Sequence, residues 1–432
     1  MRRMKGAAGL LTALLLAFQL SAQAFALANE DNGIKVVPVN FTHNGYSYEI
    51  EGVTKSTDGD YQIKPPARLA AQKLPSTYDP RSSGEITTVK DQASTGACWA
   101  FSALACAEQD LIENPSAEFS VPALVLSSNS GTATGKDDFS SGGNWLFAAS
   151  ALANGQGLCY EDYEPFLESG TENMIVSENK KSVSEYRLNY VMELSSTTQV
   201  KRKIMELGAV SASYFAGNGY MNHNNTAYYD PDASKNTIIN HSVTVVGWDD
   251  NYSKDNFRYK PANNGAWLVK GSWGADQDND GFYWVSYDEA EFGQFCCYDF
   301  EESCDNTYHY SKMTGYVVNA SNDGSVYGAN VFTAKADEKL DKAGFMYVGK
   351  TGSADYTLSV YTDVSDSDPI GVLETQISGS VSANGFYTVD FPEDILLEEG
   401  EKYSISVKFS GDSGRGKRPN IKGAVRAKLC FS

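Results

Sequence analysis

The hydrophobic period of this chain changes part-way along it, and that change restricts the fold more than any other feature. Apolar residues recur at helical spacing over residues 98–113, where Leu104, Ala107 and Leu111 share a face ahead of Pro115. A second helix is expected over 144–153, with Asn144 as its N-cap, and a third over 198–207, leading into "GAVSASYF". The runs "HSVTVVGWDD", "GAWLVKGSW" and "GFYWVSYD" are then β-branched and aromatic, with polar turns between them. From about residue 305 only strand alternation remains. "KYSISVKFSG" places Tyr403, Ile405, Val407 and Phe409 on one face, as a half-buried antiparallel sheet requires. The first part therefore reads as α+β and the last 128 residues as a separate all-β sandwich. At 432 residues the chain is long enough for two or three units.

Residues 1–26 read as a signal peptide. Arg2, Arg3 and Lys5 precede an apolar run over 7–20, and "AQAFA" offers small residues for cleavage. The apolar run is shorter than the roughly 20 residues a spanning helix needs. Residues 27–73 are polar and rich in turn signals, a leader or short pro-segment. The product is expected to be secreted, extracellular or at the cell surface. A net charge of −20 argues against nucleic acid or an anionic membrane as partner. Export permits disulfides among the seven cysteines, at 98, 106, 159, 296, 297, 304 and 430. With Cys98 set aside, six allow 15 pairings, and free buried thiols are the other reading.

Cys98 lies in "KDQASTGACWAFSAL", just where a turn at Gly96 hands over to the first helix. A helix N-terminus favours a thiolate, and the backbone N–H of Cys98 is one donor for an oxyanion hole. Gln92, six residues earlier, brings a side-chain amide as a second donor if the loop folds back. A buried structural cysteine is the competing reading at this point.

"DQASTGACWAFSALA" resembles the nucleophile segment of papain-like (C1 family) cysteine peptidases, whose local signature is C-G-[SA]-C-[WY], with His and Asn about 130–150 residues downstream. "TGACW" fits four of the five positions, and "HSVTVVGW" supplies His241, 143 residues on. "LVKGSWGADQDNDGFYWVSY" resembles the family's K-N-S-W-G segment and following hairpin, and "SGGNW" its glycine-rich substrate-binding stretch. The resemblance runs from Leu74 to about Tyr287. It implies a papain-like two-lobed fold over 74–304, with a helical left lobe and an antiparallel β right lobe, followed by a lectin-like β-sandwich over 305–432 such as accompanies these peptidases in some bacterial exported proteins. It further implies Cys98 as nucleophile, His241 as general base and acid, Gln92 in the oxyanion hole, and Gly142, Gly143, Asn240 and Trp273 along the substrate, with no metal or organic cofactor. Of the other histidines, His43 lies in the leader, His223 in a polar loop and His309 near the domain boundary.

This sequence departs from the family at several positions. Thr95 and Ser140 stand where the family has the two cysteines of one disulfide, and Gln277 where it has a second tryptophan. Gly271 stands where the family has the Asn that orients the imidazole, which leaves two readings: a weakened peptidase, or a degenerate surface protein binding peptide or glycan. "DQDNDG" resembles the start of a calcium loop through Asp276, Asp278 and Asp280, but Tyr287 stands where such a loop needs Glu, so an ordinary turn is expected. The expected partners are a protein or peptide substrate and, through residues 305–432, a cell-surface glycan; a monomer is expected. Tyr356, Tyr361 and Tyr387 are sugar-stacking candidates, with core packing as their other reading.

Overall fold

The computed structural model describes residues 34–43, 46–55, 74–113, 117–128, 139–140, 142–153, 158–163, 166, 185–217, 219–233, 239–275, 278–303, 306–309, 326–349, 352–366, 368–410 and 430–431. The signal segment and most of the leader lie outside these residues. Within the leader, β1 (Ile34–His43) pairs antiparallel with β2 (Tyr46–Lys55), where no element is expected from sequence. The sequence does carry a hairpin signal there, since Asn44-Gly45 separates two runs of mixed alternation.

The three expected helices are present. Helix α1 (Cys98–Asp110) is buried along nearly its whole length, which suits its Ala-rich "CWAFSALACAEQD". Helix α2 (Val121–Ser128), not anticipated from sequence, packs beside α3 (Trp145–Leu152). Asn144 caps α3 by accepting from the N–H groups of Leu146 (2.9 Å) and Phe147 (3.4 Å). Helix α4 (Thr197–Leu207) runs from a Ser196 cap to Gly208, whose φ of 78° closes the helix in the left-handed region.

The helices pack on an 11-stranded sheet. Its larger part comprises β3 (Thr77–Tyr78), β4 (Tyr186–Leu194), β5 (Val210–Tyr214), β6 (Ala227–Tyr228), β7 (His241–Asp249), β8 (Ala266–Lys270), β9 (Phe282–Ser286) and β10 (Gly293–Glu302). Strand β7 is buried on both faces because α1 lies against one of them, where Ser102 Oγ donates to Val243 O at 2.7 Å. Two cores result. One joins α1, α2 and α3 around Trp99, Leu104 and Phe147; the other gathers Val200, Ile204, Tyr214, Trp248 and Trp267 within the strands.

Beyond them, β11 (Val326–Thr333), β13 (Ala354–Thr362), β14 (Val372–Val381) and β16 (Lys402–Ser410) form a four-stranded sheet, in the order β11-β16-β13-β14. It faces β12 (Glu338–Tyr347), β15 (Gly385–Leu397) and β17 (Cys430–Phe431) across a core of Phe345, Leu358, Val360, Ile405 and Val407. Tyr356 and Tyr387 pack on Phe345 at 4.9 and 6.0 Å between centroids, so they serve this core. The second sheet of the sandwich does not end at the domain. Strand β15 pairs with β4 through Gly385–Met192, Phe386–Val191 and Tyr387–Tyr190, making the sandwich continuous with the sheet beneath the helices.

Candidate active site

The site is assembled where α1 begins. Its N-cap, Ala97, offers no side-chain hydrogen bond, so the first-turn N–H groups are left to other acceptors. Cys98 opens the helix there, and its sulfur lies beside Ser242 and the first-turn backbone, whose N–H dipoles favour the thiolate. The thiol thus lies against the start of β7. Burial pushes the Cys98 thiol up to about 11, against the opposing pull of Ser242 and the first-turn backbone. His241, the residue before Ser242, is 2% exposed and so is as buried as the thiol.

The imidazole of His241 stacks on Trp273, with centroids 4.2 Å apart and planes 9° from parallel. Its direct partner across the sheet is Tyr214 on β5, whose ring meets it edgewise at 5.9 Å and 62°.

The loop before Cys98 folds back onto the Gly271–Trp273 segment. Gln92 N–H donates to Ser272 O (2.8 Å), and Gly274 N–H donates to Lys90 O (3.1 Å). That short antiparallel clamp ties the nucleophile loop to the Gly271–Trp273 segment. The Gln92 carboxamide is buried and held at both ends: Ser272 Oγ donates to Oε1 at 2.6 Å, and Nε2 donates to Thr95 O at 2.8 Å. One of the two Nε2 hydrogens is thereby used and the other is left for a ligand. Ser272 was not anticipated; its only signal is its place in "GSWG".

Thr95, on the lost-disulfide position, donates from Oγ1 to Gln92 O at 2.8 Å, closing the same loop without sulfur. Ser140 is exposed. Cys98, Cys106, Cys296 and Cys297 are buried thiols and no disulfide joins the described cysteines, so the free-thiol reading holds for them. Cys304 and the side chain of Cys430 lie outside the described residues.

Gly142 is buried and Gly143 half-buried. A Cβ on Gly143 would lie 2.5 Å from the Trp99 ring, so close packing on α1 already demands glycine there. Asn240 is buried, and its Oδ1 accepts from Ala216 N–H at 2.7 Å, fixing the chain just before His241. Residues 278–281 form a tight turn between β8 and β9, with Asn279 and Asp280 left-handed, while Asp276 and Gln277 lie outside the described residues. No group of three or more metal-ligating side chains gathers among the described residues. His223 is exposed in a turn and His43 lies on β1; neither joins the site.

Lys270 immediately precedes Gly271 and is 4% exposed, with its ammonium donating to Thr87 Oγ1 at 2.6 Å. Burial lowers its pKa to about 8, partly opposed by Glu108. A lysine depressed in the folded state destabilises the fold in full below the folded pKa, and the penalty disappears as pH rises towards the unfolded value near 10.5. Lys270→Met, which keeps the stem and removes the charge, should therefore gain stability over wild type below pH 8. That gain, of about 3 kcal/mol, should fade between pH 8 and 10.5. Paired urea melts across that range check it, and a constant difference would count against a depressed lysine.

Residues 74–323 match the family described as papain family cysteine protease. The chain belongs to that family. Residues 307–421 match the lectin like domain. Among curated relatives of this papain-family chain, Bos taurus Cathepsin S is 28% identical over 212 residues, 49% of this chain and 60% of the relative. Felis catus Procathepsin L is 29% identical over 218 residues, 50% and 62%. The match thus spans about three-fifths of the length of these relatives. Among solved structures, the clostridial cysteine protease Cwp84 after propeptide cleavage superposes with a TM-score of 0.66 at 28% identity, covering 82% of this chain and 87% of the other. The cysteine protease and lectin-like domains of Cwp84, a surface layer associated protein of Clostridium difficile, give 0.65 at 26%, covering 86% and 80%.

Proposed function

We infer that this protein is a cysteine-type peptidase whose nucleophile is Cys98. The observation that carries the reading is the uncapped N-terminus of α1, which opens on Cys98 with its sulfur beside Ser242, the residue after His241. His241 takes the thiol proton as the sulfur forms a bond to the peptide carbonyl carbon. The carbonyl electrons move onto oxygen, between the Cys98 N–H and the Gln92 amide. When the intermediate collapses, the C–N bond breaks and His241 returns the proton to the departing amine. Water, deprotonated by the same imidazole, then hydrolyses the thioester and restores the thiol. Substrate backbone passes Gly142 and Gly143 in extended form.

The substrate class is protein or peptide, outside the cell or on its surface. Support for that location is the basic and apolar start of the chain together with the likeness to a surface layer associated protein. A surface glycan is the ligand class for the lectin-like domain, supported by the family match alone.

The second reading, a binding protein without activity, is favoured by Gly271. Treatment with an epoxysuccinyl peptide inhibitor separates the two. We expect one adduct, on Cys98, and parallel loss of peptide hydrolysis. Folded protein that neither labels at Cys98 nor cleaves peptides would establish the binding reading.

A further inference from the structure

The space beside Gly271, where the family's Asn would sit, is bordered by the start of β9. A Cβ built there lies 3.2 Å from Gly281 O, a tight approach, and 3.4 Å from Tyr283 Cε1, an ordinary contact, so the ring edge of Tyr283 borders that side-chain space. Tyr283 comes from β9 and is 4% exposed. Its hydroxyl meets the hydroxyl of Tyr214 at 2.9 Å, and Tyr214 is 1% exposed. Sheet order explains how the two meet: β5, β7, β8 and β9 are successive neighbours, and Tyr214, His241, Gly271 and Tyr283 lie at one end of them. The hydroxyl pair therefore crosses the sheet end that carries the imidazole. Tyr214 is in turn the cross-strand partner of His241, in ring contact with it, while Trp273 stacks on the imidazole. Tyr228 and Phe292 brace Tyr214 from behind, at 5.0 and 5.5 Å between centroids.

We propose that Tyr214 and Tyr283 are positioning residues, which hold the His241 imidazole in its working orientation in place of a carboxamide at residue 271. This rests on the reading of His241 as the base. An Asn fixes the ring through one hydrogen bond; here the Tyr214 ring walls it, and the freedom of that wall to slide is removed by the hydroxyl bond between two strands. Both hydroxyls stay protonated, because burial raises the pKa of each. The pair thus acts by packing and dipole, without net charge. A device of this kind orients the base less tightly than a direct hydrogen bond to it, yet it keeps the same step available.

The titratable groups facing this corner are Cys98 from α1, Tyr214 from β5, Tyr283 from β9 and, behind Tyr214, Tyr228 and Glu289. Glu289 is pushed up to about 7 by burial and is the one among them that titrates in the working range.

The test compares wild type, Tyr283→Phe and Glu289→Gln by two readouts: the pH profile of peptide hydrolysis, and the pH profile of Cys98 alkylation by iodoacetamide. Tyr283→Phe keeps the ring and removes only the hydroxyl bond. It should lower kcat/KM about tenfold through kcat, with KM held. Its acid limb, on which the imidazole base becomes protonated, should move by about half a pH unit. Glu289→Gln should leave that limb in place. Gly271→Asn alone should bring little gain, since its side chain would be crowded between Gly281 O and the Tyr283 ring; combined with Tyr283→Val it should exceed Tyr283→Val alone. Unmoved limbs in Tyr283→Phe would overturn the proposal, as would a loss that merely follows a lowered melting temperature. Wild type whose Cys98 alkylates only as an ordinary buried thiol, with no hydrolysis, would instead overturn the peptidase reading.

Discussion

Replacement of Cys98 by alanine should lower kcat/KM for peptide hydrolysis by at least about 10⁴-fold, which is about 5 kcal/mol of transition-state stabilisation. No other described side chain at the start of α1 can form the covalent intermediate: Trp99 is packed on Gly143, and the Ser242 hydroxyl lies near Ser213 Oγ at 3.0 Å. His241→Ala should cost about 10³-fold or more, because the buried thiol, pushed up to about 11, then loses the neighbour that removes its proton. The double variant should be little worse than Cys98→Ala, since residues acting as a unit are not additive. Steady-state kinetics on a quenched fluorescent peptide, alongside melting temperatures, measure all three. Cys98→Ala changes only a buried sulfur, so a melting temperature close to wild type is expected. Retention of more than about a hundredth of the activity in Cys98→Ala would show that another nucleophile operates.

Much of this site is legible from the sequence because it depends on local geometry. Gly96, Cys98 and a helical period directly after them dictate a thiol at a helix N-terminus. Gln92 is close enough in sequence to fold back. The spacing to His241 joins the two halves only through the family resemblance, since nothing local tells which histidine of four meets the thiol. What stays hidden is what depends on strand order. Tyr214 and Tyr283 are 69 residues apart and look like ordinary strand aromatics; they meet only because β7 and β8 are placed between β5 and β9. Helix α2 escapes notice because "SVPALVLSS" carries a proline and β-branched residues, and it is burial against α1 and α3 that makes it helical. The pairing of β1 with β2 escapes notice for the opposite reason: Asn-Gly in the sequence between them is a local signal that the polar leader around it masks.

The sandwich was readable as a sheet of alternating strands, but its attachment to the peptidase sheet was not, and this seam gives the second large effect. Gly385→Val should destabilise the protein by about 4 kcal/mol, in the range reserved for changes that break packing outright. A Cβ at Gly385 would lie 2.0 Å from Val191 O and 3.2 Å from the Met192 Cα, both backbone atoms of β4 that cannot rotate away. Strand β15 must then part from β4, where Asn384 O accepts from Glu193 N–H and Asn384 Nδ2 donates to Glu193 Oε2, each at 2.9 Å. Phe386, the next residue, is 1% exposed inside the peptidase core with Val191 and Met346, so parting the strands also uncovers apolar surface. A fall in melting temperature of about 10 °C is expected from that energy in a domain of this size. Gly293→Ala is the control, since a Cβ there meets nothing within 4 Å. Activity should fall as well: Trp145, two residues beyond Gly143, donates from Nε1 to Glu193 Oε1 at 3.0 Å, and the start of α3 is steadied by the same carboxylate that Asn384 holds. Calorimetry distinguishes the consequences. If the shared sheet makes the two parts one cooperative unit, wild type melts in one transition and Gly385→Val moves all of it. Two transitions, with only one responding, would mean that strand pairing across the seam carries little of the fold's stability.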